Sequence, residues 1–557
     1  MVFFGKHLLR KDDAMKPRYL KTAFITTAVV AVIAIIAAVV LVQLKNTKET
    51  DAVIRTTYEI KTPPLSLTKA EDIYDMNAQN EIWADIEAYK ESKDYTFEDA
   101  LIIDNPFQTN SQSMYIYFNT EEPASMEYTV HVENTDIPDF TRACFNSGED
   151  NLTTEHEYQI LGVIPEADNV ITLKLTYSSG KTEARSFIYQ APALIGSGDL
   201  ILTYTDGETS EALEDGLYTV FAGDSFFYYY DNDGILRSEF PILNYRALRL
   251  IFKDDKMYYS AGVSTFVEMN SLGRLTSIYD LGTYNVHHDY TFDDSGNILL
   301  LATDTQSPQE EDRILYLKPD TGEISQILDL TDMFPDYYTN CKPNKDGKLD
   351  WMHINTIQWL GNDTLLLSSR ETSSILKINN IFSTPSLEYM LGTESFWQDS
   401  PYTSYLYEKA GDFKSQLGQH TITYVEDSSL EEGQYYLYMF DNNIGISSTR
   451  PDYNWQEHFD DIGSAGSAES DETSMFYKYL VDENSKNYSL VESFEVPYSG
   501  YQSSAQEIGS NTVISPSNPK IFQEYDKDNN LIRSFETGNS KQSYRTYKYT
   551  FENFYFK

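Results

Sequence analysis

The stretch DWMHINTIQWLGNDTLLLSSRETSSILKIN, residues 350–379, decides the fold. It is an alternating apolar run, a turn at Gly361–Asp363, a second run and then a third, the pattern of three short antiparallel strands. A histidine, His353, opens the first strand, and an arginine, Arg370, ends the second. Two groups suited to an oxyanion therefore stand at the rim of a sheet that otherwise reads as packing.

The same pattern recurs. A turn followed by an apolar strand appears six times after Pro192: GDSFFYYYD from Gly223, DDKMYYSAG from Asp254, SGNILLLATD from Ser295, NDTLLLSSRE from Asn362, GQYYLYMFDN from Gly433 and SNTVISPSNP from Ser510. Further strands usually follow, as in Arg313–Leu330 and Lys520–Glu536. Four-stranded units repeated in this way make a β-propeller, and six units predict six blades over residues 193–557. The C-terminal strand Ser543–Phe551 is expected to close the ring with the early strand Asp199–Asp206.

Upstream, short alternating segments between turns predict a small β-sandwich over residues 105–192. Residues 45–104 read as an exposed stalk followed by a helix. That helix is expected to begin at Thr68 with a capping box to Glu71, and to set Ile82, Ile86 and Tyr89 on one face against a downstream domain. Residues 1–21 carry six Lys and Arg, and residues 22–44 hold no charge, a span long enough to cross a bilayer. A cleavable signal would have a shorter apolar core and a small-residue exit. This run leaves through Val40-Leu41-Val42-Gln43-Leu44. The expectation is a single-pass transmembrane anchor with a cytoplasmic N-terminus and an extracellular catalytic domain at the cell membrane. The whole is an all-β chain: one N-terminal transmembrane helix, a small β-sandwich domain and a six-bladed β-propeller.

With 86 acidic against 42 basic residues, the chain lacks the basic stripe of a nucleic-acid binder. An anionic substrate must then be held by local positive groups. Two cysteines, Cys144 and Cys341, fall in different predicted domains, so neither a disulfide framework nor a thiolate zinc site is expected.

Of eight histidines, four lie at matching places in the repeat: His287 and His288 in unit three, His353 in unit four and His420 in unit five. In a propeller each precedes the second strand of its blade and faces the central channel at one end. By the same logic Tyr245–Ala247 in unit two and Ser503–Ser504 in unit six line that channel. His131 and His156 lack such partners and read as ordinary strand or surface residues. Converging histidines can ligate metal. A guanidinium beside a divalent cation is electrostatically costly, however, and Arg370 with several imidazoles better fits a sulfuryl or phosphoryl group, with one imidazole as nucleophile. Asp289 and Asp350 either orient imidazoles or belong to turns.

These segments together, HHD at 287–289, DWMHIN at 350–355, SSRETSSILKI at 368–378, QH at 419–420 and FDN at 440–442, resemble the signature of the bacterial arylsulfotransferases, which use aryl sulfates and no activated nucleotide sulfate. The resemblance runs from about residue 100 to the C-terminus. It implies a ping-pong transfer from an aryl sulfate donor to a phenolic acceptor, with no cofactor and no metal. His420 matches the nucleophile that becomes a sulfohistidine, and His353 and Arg370 match the groups that hold the sulfate oxygens. One of His287 and His288 matches a third histidine that protonates the leaving phenolate or binds an oxygen. His288 is favoured because it directly precedes Asp289, and Asn355 is an additional donor. The chain departs from periplasmic relatives, which are typically secreted with a cleaved signal and carry a disulfide near the site. Two other functions remain open on the same scaffold: a metal-dependent ester hydrolase and a non-catalytic binding propeller. Nothing in the sequence speaks to the oligomeric state.

Overall fold

The computed structural model describes residues 53–557 except 68, 149, 468–470 and 539–541. The expected anchor at 22–44 and the tail at 1–21 lie outside the described residues. Among the described residues, no helix is long and apolar enough to cross a membrane.

Six antiparallel blades follow one another as the repeat predicts. Blade four consists of Ile354–Trp359, Leu365–Ser369, Ser374–Asn379 and Ser386–Leu391, in that order from the inside. Its second strand shows why these segments read as unbroken apolar runs. Leu365 and Leu367 pack into the core shared with blade three, and Leu366 faces the opposite core shared with blade five. With both faces buried, alternation gives way to LLL. Each such leucine contributes about 1.5–3 kcal/mol of burial.

The ring closes differently from the expected pairing. Ser543–Tyr549 becomes the innermost strand of blade one by pairing with Leu217–Ala222, while Thr203–Asp206 adds to the outer edge of blade six by pairing with Leu531–Glu536. The two ends of the propeller therefore do not pair with each other. Each is sewn into a different blade, so closure is made twice.

The region read as a stalk is also folded. Ile54–Arg55 pairs in parallel with Thr182–Gln190, and Ile60–Lys61 with Leu101–Asp104. Tyr58 between them is buried and donates its hydroxyl to the Phe97 carbonyl at 2.6 Å. The N-terminal sheet is organised by one long strand, Ser113–Val132, whose first part pairs with Leu101–Asp104 and Thr153–Leu161 and whose second part pairs with Phe140–Ala143 and Asp168–Tyr177. Thr68 falls outside the described residues. The chain makes one turn at Ala70–Ile73 and then the helix Met76–Ser92, capped by Asp75, whose Oδ1 accepts from the Asn77 and Ala78 amides at 2.7 and 3.1 Å. Ile82 and Ile86 on this helix are buried, and Gln79 accepts from the Leu275 amide of blade two at 3.3 Å. One continuous apolar core joins the N-terminal sheet, this helix and blades one and two. His131 and His156 lie in the N-terminal sheet, remote from the channel, as expected; His156 is buried and stacks on Phe118 at 4.6 Å. Both cysteines are unbridged.

Candidate active site in the propeller channel

The innermost strands carry a shared backbone feature. Tyr245, His288, His353, Thr421 and Ser503, one at the channel end of each of blades two to six, have left-handed φ angles of +64°, +56°, +48°, +52° and +88°. Beside those of blades three, four and five the strand pairing slips into a bulge. A non-glycine residue in this region costs on the order of 1–3 kcal/mol, and bulges of this kind re-aim side chains. Here they accompany His288, His353 and, one residue before Thr421, His420. The connection between second and third strands supplies a second ring: Glu311 in blade three, Arg370 in blade four and Asn442 in blade five. The C-terminal inner strand of blade one adds Tyr544 and Arg545.

His420 is buried, and its Nδ1 lies 2.6 Å from Asn442 Oδ1. The Asn442 amide nitrogen donates to the Ser499 and Gln502 carbonyls at 2.8 and 3.2 Å, which fixes Oδ1 toward the histidine. Nδ1 must therefore carry the proton, leaving the Nε2 lone pair free. Burial pushes the His420 pKa well below its ordinary value, Asn442 opposes this, and Arg370, His353 and Arg545 push it further down. The residues before it are rigid. Gly418 has φ +67° and donates to Ser373 Oγ at 3.0 Å, and the Gln419 carbonyl accepts from Asn355 Nδ2 at 2.7 Å. Asn355 is thus brought to the site, but its amide is engaged in positioning the loop that carries His420.

His353 is the cation. Burial and Arg370 work against its protonation, yet Asp350 and Glu311 outweigh them and lift it to about 9. Both Asp350 oxygens hold Nδ1, at 2.9 and 2.8 Å, while Glu311 Oε2 lies 2.6 Å from the same nitrogen without hydrogen-bond alignment and acts by its charge. Asp350, in turn, is drawn down to about 2, against its burial, by His353 and Arg370. Of the two aspartates, Asp350 therefore orients an imidazole. Asp289 touches none; it accepts from the Ile357 amide at 3.1 Å and pairs with Arg249 at 3.2 Å and Arg545 at 3.4 Å. Arg370 is anchored by Glu371 at 2.8 Å and Asp350 at 3.4 Å, and its buried Nε has no hydrogen-bond partner among the described residues.

His288 packs its ring 4.8 Å from His353 and 5.8 Å from Tyr544. Burial first, and then His353, His287, His420 and Arg545, drive its pKa well below the ordinary value. His287 lies behind it, Nδ1 to Nδ1 at 2.9 Å, and is held below its ordinary pKa chiefly by burial. The four histidines and Arg370 are therefore together, as the repeat predicts. Sequence reasoning missed Glu311, Arg545 and the orienting part of Asn442. Arg545 is fully buried, donates to the Asn355 carbonyl at 2.8 Å and leaves Nε and Nη1 without a hydrogen bond among the described residues.

Glu311 also creates two donor groups of metal-binding size, His287–His288–Glu311 and Glu311–Asp350–His353. A divalent cation there would have to displace the His353 proton and sit beside Arg370.

A six-bladed channel whose end gathers a neutral histidine, a cationic histidine, the buried Arg545 and the half-buried Arg370 is chemically suited to small oxyanionic groups. The chain belongs to the arylsulfotransferase (ASST) family, whose catalytic domain matches residues 203–555 and whose Ig-like domain matches residues 101–192. Membership supports aryl sulfotransferase activity in general, and the family implies an aryl sulfate donor and a phenol acceptor. No curated protein matches it. Among solved structures, a protein of unknown function from Bacteroides caccae shares 9% identity over 60% of this chain and 98% of its own, with a TM-score of 0.36. A putative 6-phosphogluconolactonase from Bacteroides fragilis NCTC 9343 shares 9% identity over 76% and 98%, with a TM-score of 0.33. A nidogen/laminin complex shares 12% over 59% and 97%, also at 0.33. Similarity at this level carries no argument about function.

Proposed function

We propose that the protein moves a sulfuryl group from an aryl sulfate to a phenol without a nucleotide, by a ping-pong route through a sulfohistidine at His420. The observation that carries this reading is the Asn442 contact, which holds the His420 proton on Nδ1 and leaves Nε2 as a lone pair in a cationic setting. His420 Nε2 attacks sulfur, the sulfur–aryl oxygen bond breaks, and the phenoxide leaves with the electron pair. Asn442 Oδ1 then accepts from the imidazolium-like Nδ1–H of the adduct. His353 and Arg370, with Arg545, hold the sulfuryl oxygens as charge builds; such preorganised donors typically supply roughly 100- to 1,000-fold each. In the second half the phenol oxygen attacks sulfur and the N–S bond returns its electrons to Nε2. His288, neutral in the empty site, takes the phenol's proton and releases it to solvent before the next cycle, with His287 behind it, and the donor phenoxide takes its proton from water.

Mass spectrometry of donor-treated protein tests the assignment. An acid-labile sulfuryl adduct on the peptide bearing His420 is expected, together with its loss in His420→Asn. An undiminished burst of donor phenol from that variant refutes it. One observation favours a second reading, the cation-sized donor groups around Glu311. A metal-dependent hydrolase predicts loss of turnover with chelator and water as the acceptor; the transferase predicts neither. We further propose that residues 22–44 anchor the chain with the catalytic domain outside the cell. Protease added to intact cells should then shed the domain, and its retention refutes the placement.

A further inference from the structure

The channel end holds one feature that sulfuryl chemistry at His420 does not use. Arg246 lies just before the inner strand Ile251–Lys253 of blade two, next to the left-handed Tyr245. Its guanidinium sits over the exposed Tyr245 ring at 4.6 Å and over the buried Tyr544 ring at 5.4 Å. The other face of the problem is charge. The chain has 86 carboxylates, and Arg370, Arg249 and Arg545 each pair with one or more. Arg246 has no carboxylate within ion-pair distance among the described residues, and its buried Nε has no hydrogen-bond partner. The Tyr544 hydroxyl is likewise buried without a partner among the described residues. In so acidic a protein, an arginine at a channel mouth with no ion pair among the described residues is a site for an anion from outside.

Position decides which anion. The Tyr544 ring bridges Arg246 and His288, with contacts of 5.4 and 5.8 Å, so the guanidinium and the proton-accepting imidazole stand no more than about 11 Å apart. A phenyl ring with a hydrogen bond at each end fits within that limit. A phenol whose hydroxyl faces His288 would lay its ring along Tyr544 and bring a para substituent to Arg246.

We propose that Tyr245, Arg246 and Tyr544 form an acceptor subsite for phenols that carry a second, anionic group, such as a carboxylate, across the ring from the hydroxyl. This rests on the sulfuryl-transfer reading above and names its acceptor class. Arg246 supplies a charge-assisted hydrogen-bonding fork, and the tyrosines supply the wall for the ring.

The test compares 4-hydroxyphenylacetate with 4-methylphenol, two acceptors that differ in that anionic group, using 4-nitrophenyl sulfate as donor. In the wild-type enzyme kcat/KM for the carboxylated acceptor should exceed that for 4-methylphenol by at least about tenfold, the factor expected of one charge-assisted bond. Arg246→Met should erase the preference by lowering the carboxylated acceptor alone, with 4-methylphenol changed less than about twofold, and Arg246→Lys should restore part of it. Equal preference in the wild type, or parallel losses for both acceptors in Arg246→Met, overturns the subsite while leaving sulfuryl transfer intact. Absence of nitrophenol release from the wild-type enzyme overturns both.

Discussion

Replacing Asp350 by Asn separates charge from shape at His353. Asp350 holds Nδ1 with both oxygens and, with Glu311, lifts the imidazolium to about 9 against burial and Arg370. With charge centres roughly 4 Å apart and an effective dielectric near 20, the lost attraction is about 4 kcal/mol, or about three pKa units. Burial and Arg370 remain in the variant, so His353 should titrate near pH 6. If protonated His353 holds the sulfuryl oxygens, wild-type kcat/KM should be level through neutrality and fall as the pH rises through about 9. In Asp350→Asn the same fall should begin near pH 6, leaving roughly one-hundredth of the activity at pH 8 and near-normal activity below pH 5. Arg370 keeps its Glu371 partner at 2.8 Å, so the shift reports His353 and not a loosened guanidinium. The assay is the initial release of a chromogenic phenol from its sulfate, read at a wavelength insensitive to the phenol's own ionisation. A descending limb that stays at pH 9 in Asp350→Asn would belong to another group, and the role given to His353 would fail.

Asn442→Asp places a carboxylate on His420 Nδ1. It should raise the His420 pKa, protonate Nε2 toward neutrality and move the acid limb of the rate profile upward by about one to three units; an unmoved acid limb refutes the tautomer argument. Arg545→Gln should lower kcat by roughly 100-fold or more with a smaller change in KM, while Arg545→Lys recovers part, as expected of a group that meets charge in the transition state; equal loss in both kinetic constants would mark it as structural only. His156, far from the site, is held neutral by burial, its pKa lowered to about 4. Its contribution to stability is present above its unfolded pKa and is lost as the pH falls through about 4, about 3 kcal/mol in all. Denaturant titrations between pH 7 and 4 should show a shallower decline in His156→Gln, and an unchanged slope refutes it.

The propeller was legible because its second strands are buried on both faces. Leu365, Leu366 and Leu367 face two cores at once and therefore stand out as an uninterrupted run after a turn, six times over. The histidines were legible because they sit at one place in that repeat. Asn442 was within reach of the same logic, since it ends the second strand of blade five where Arg370 ends that of blade four. Glu311 was not, because its blade reaches the channel through a connecting loop whose path no periodicity marks. Arg545 was hidden by distance along the chain: only closure by Ser543–Tyr549 in blade one carries it to Asn355, a pairing that no local periodicity marks. The stalk was misread for a similar reason. Two-residue strands such as Ile54–Arg55 leave no periodic signal and are defined by their partner, Thr182–Gln190.

The way the charges are layered explains how a chain of net charge −44 can hold a sulfate at all. Near the reacting position the carboxylates Asp350, Glu311, Glu371 and Asp289 nearly balance the cations, so the site gains little from long-range attraction. Three of these carboxylates, though, engage particular donors of their partners. Asp350 takes His353 Nδ1, Glu371 takes Arg370 Nη2, and Asp289 sits between Arg249 and Arg545. Arg370 Nε and Arg545 Nε remain buried without a hydrogen-bond partner among the described residues, a setting in which charge acts at short range and is poorly screened. Burial first, and then the same cations that would bind the sulfuryl oxygens, push the His420 pKa below its ordinary value. In the proposed mechanism the nucleophile and its anion clamp are thus mutually supporting: strengthening the positive field improves both, until the carboxylates behind it can no longer offset the burial of the cations.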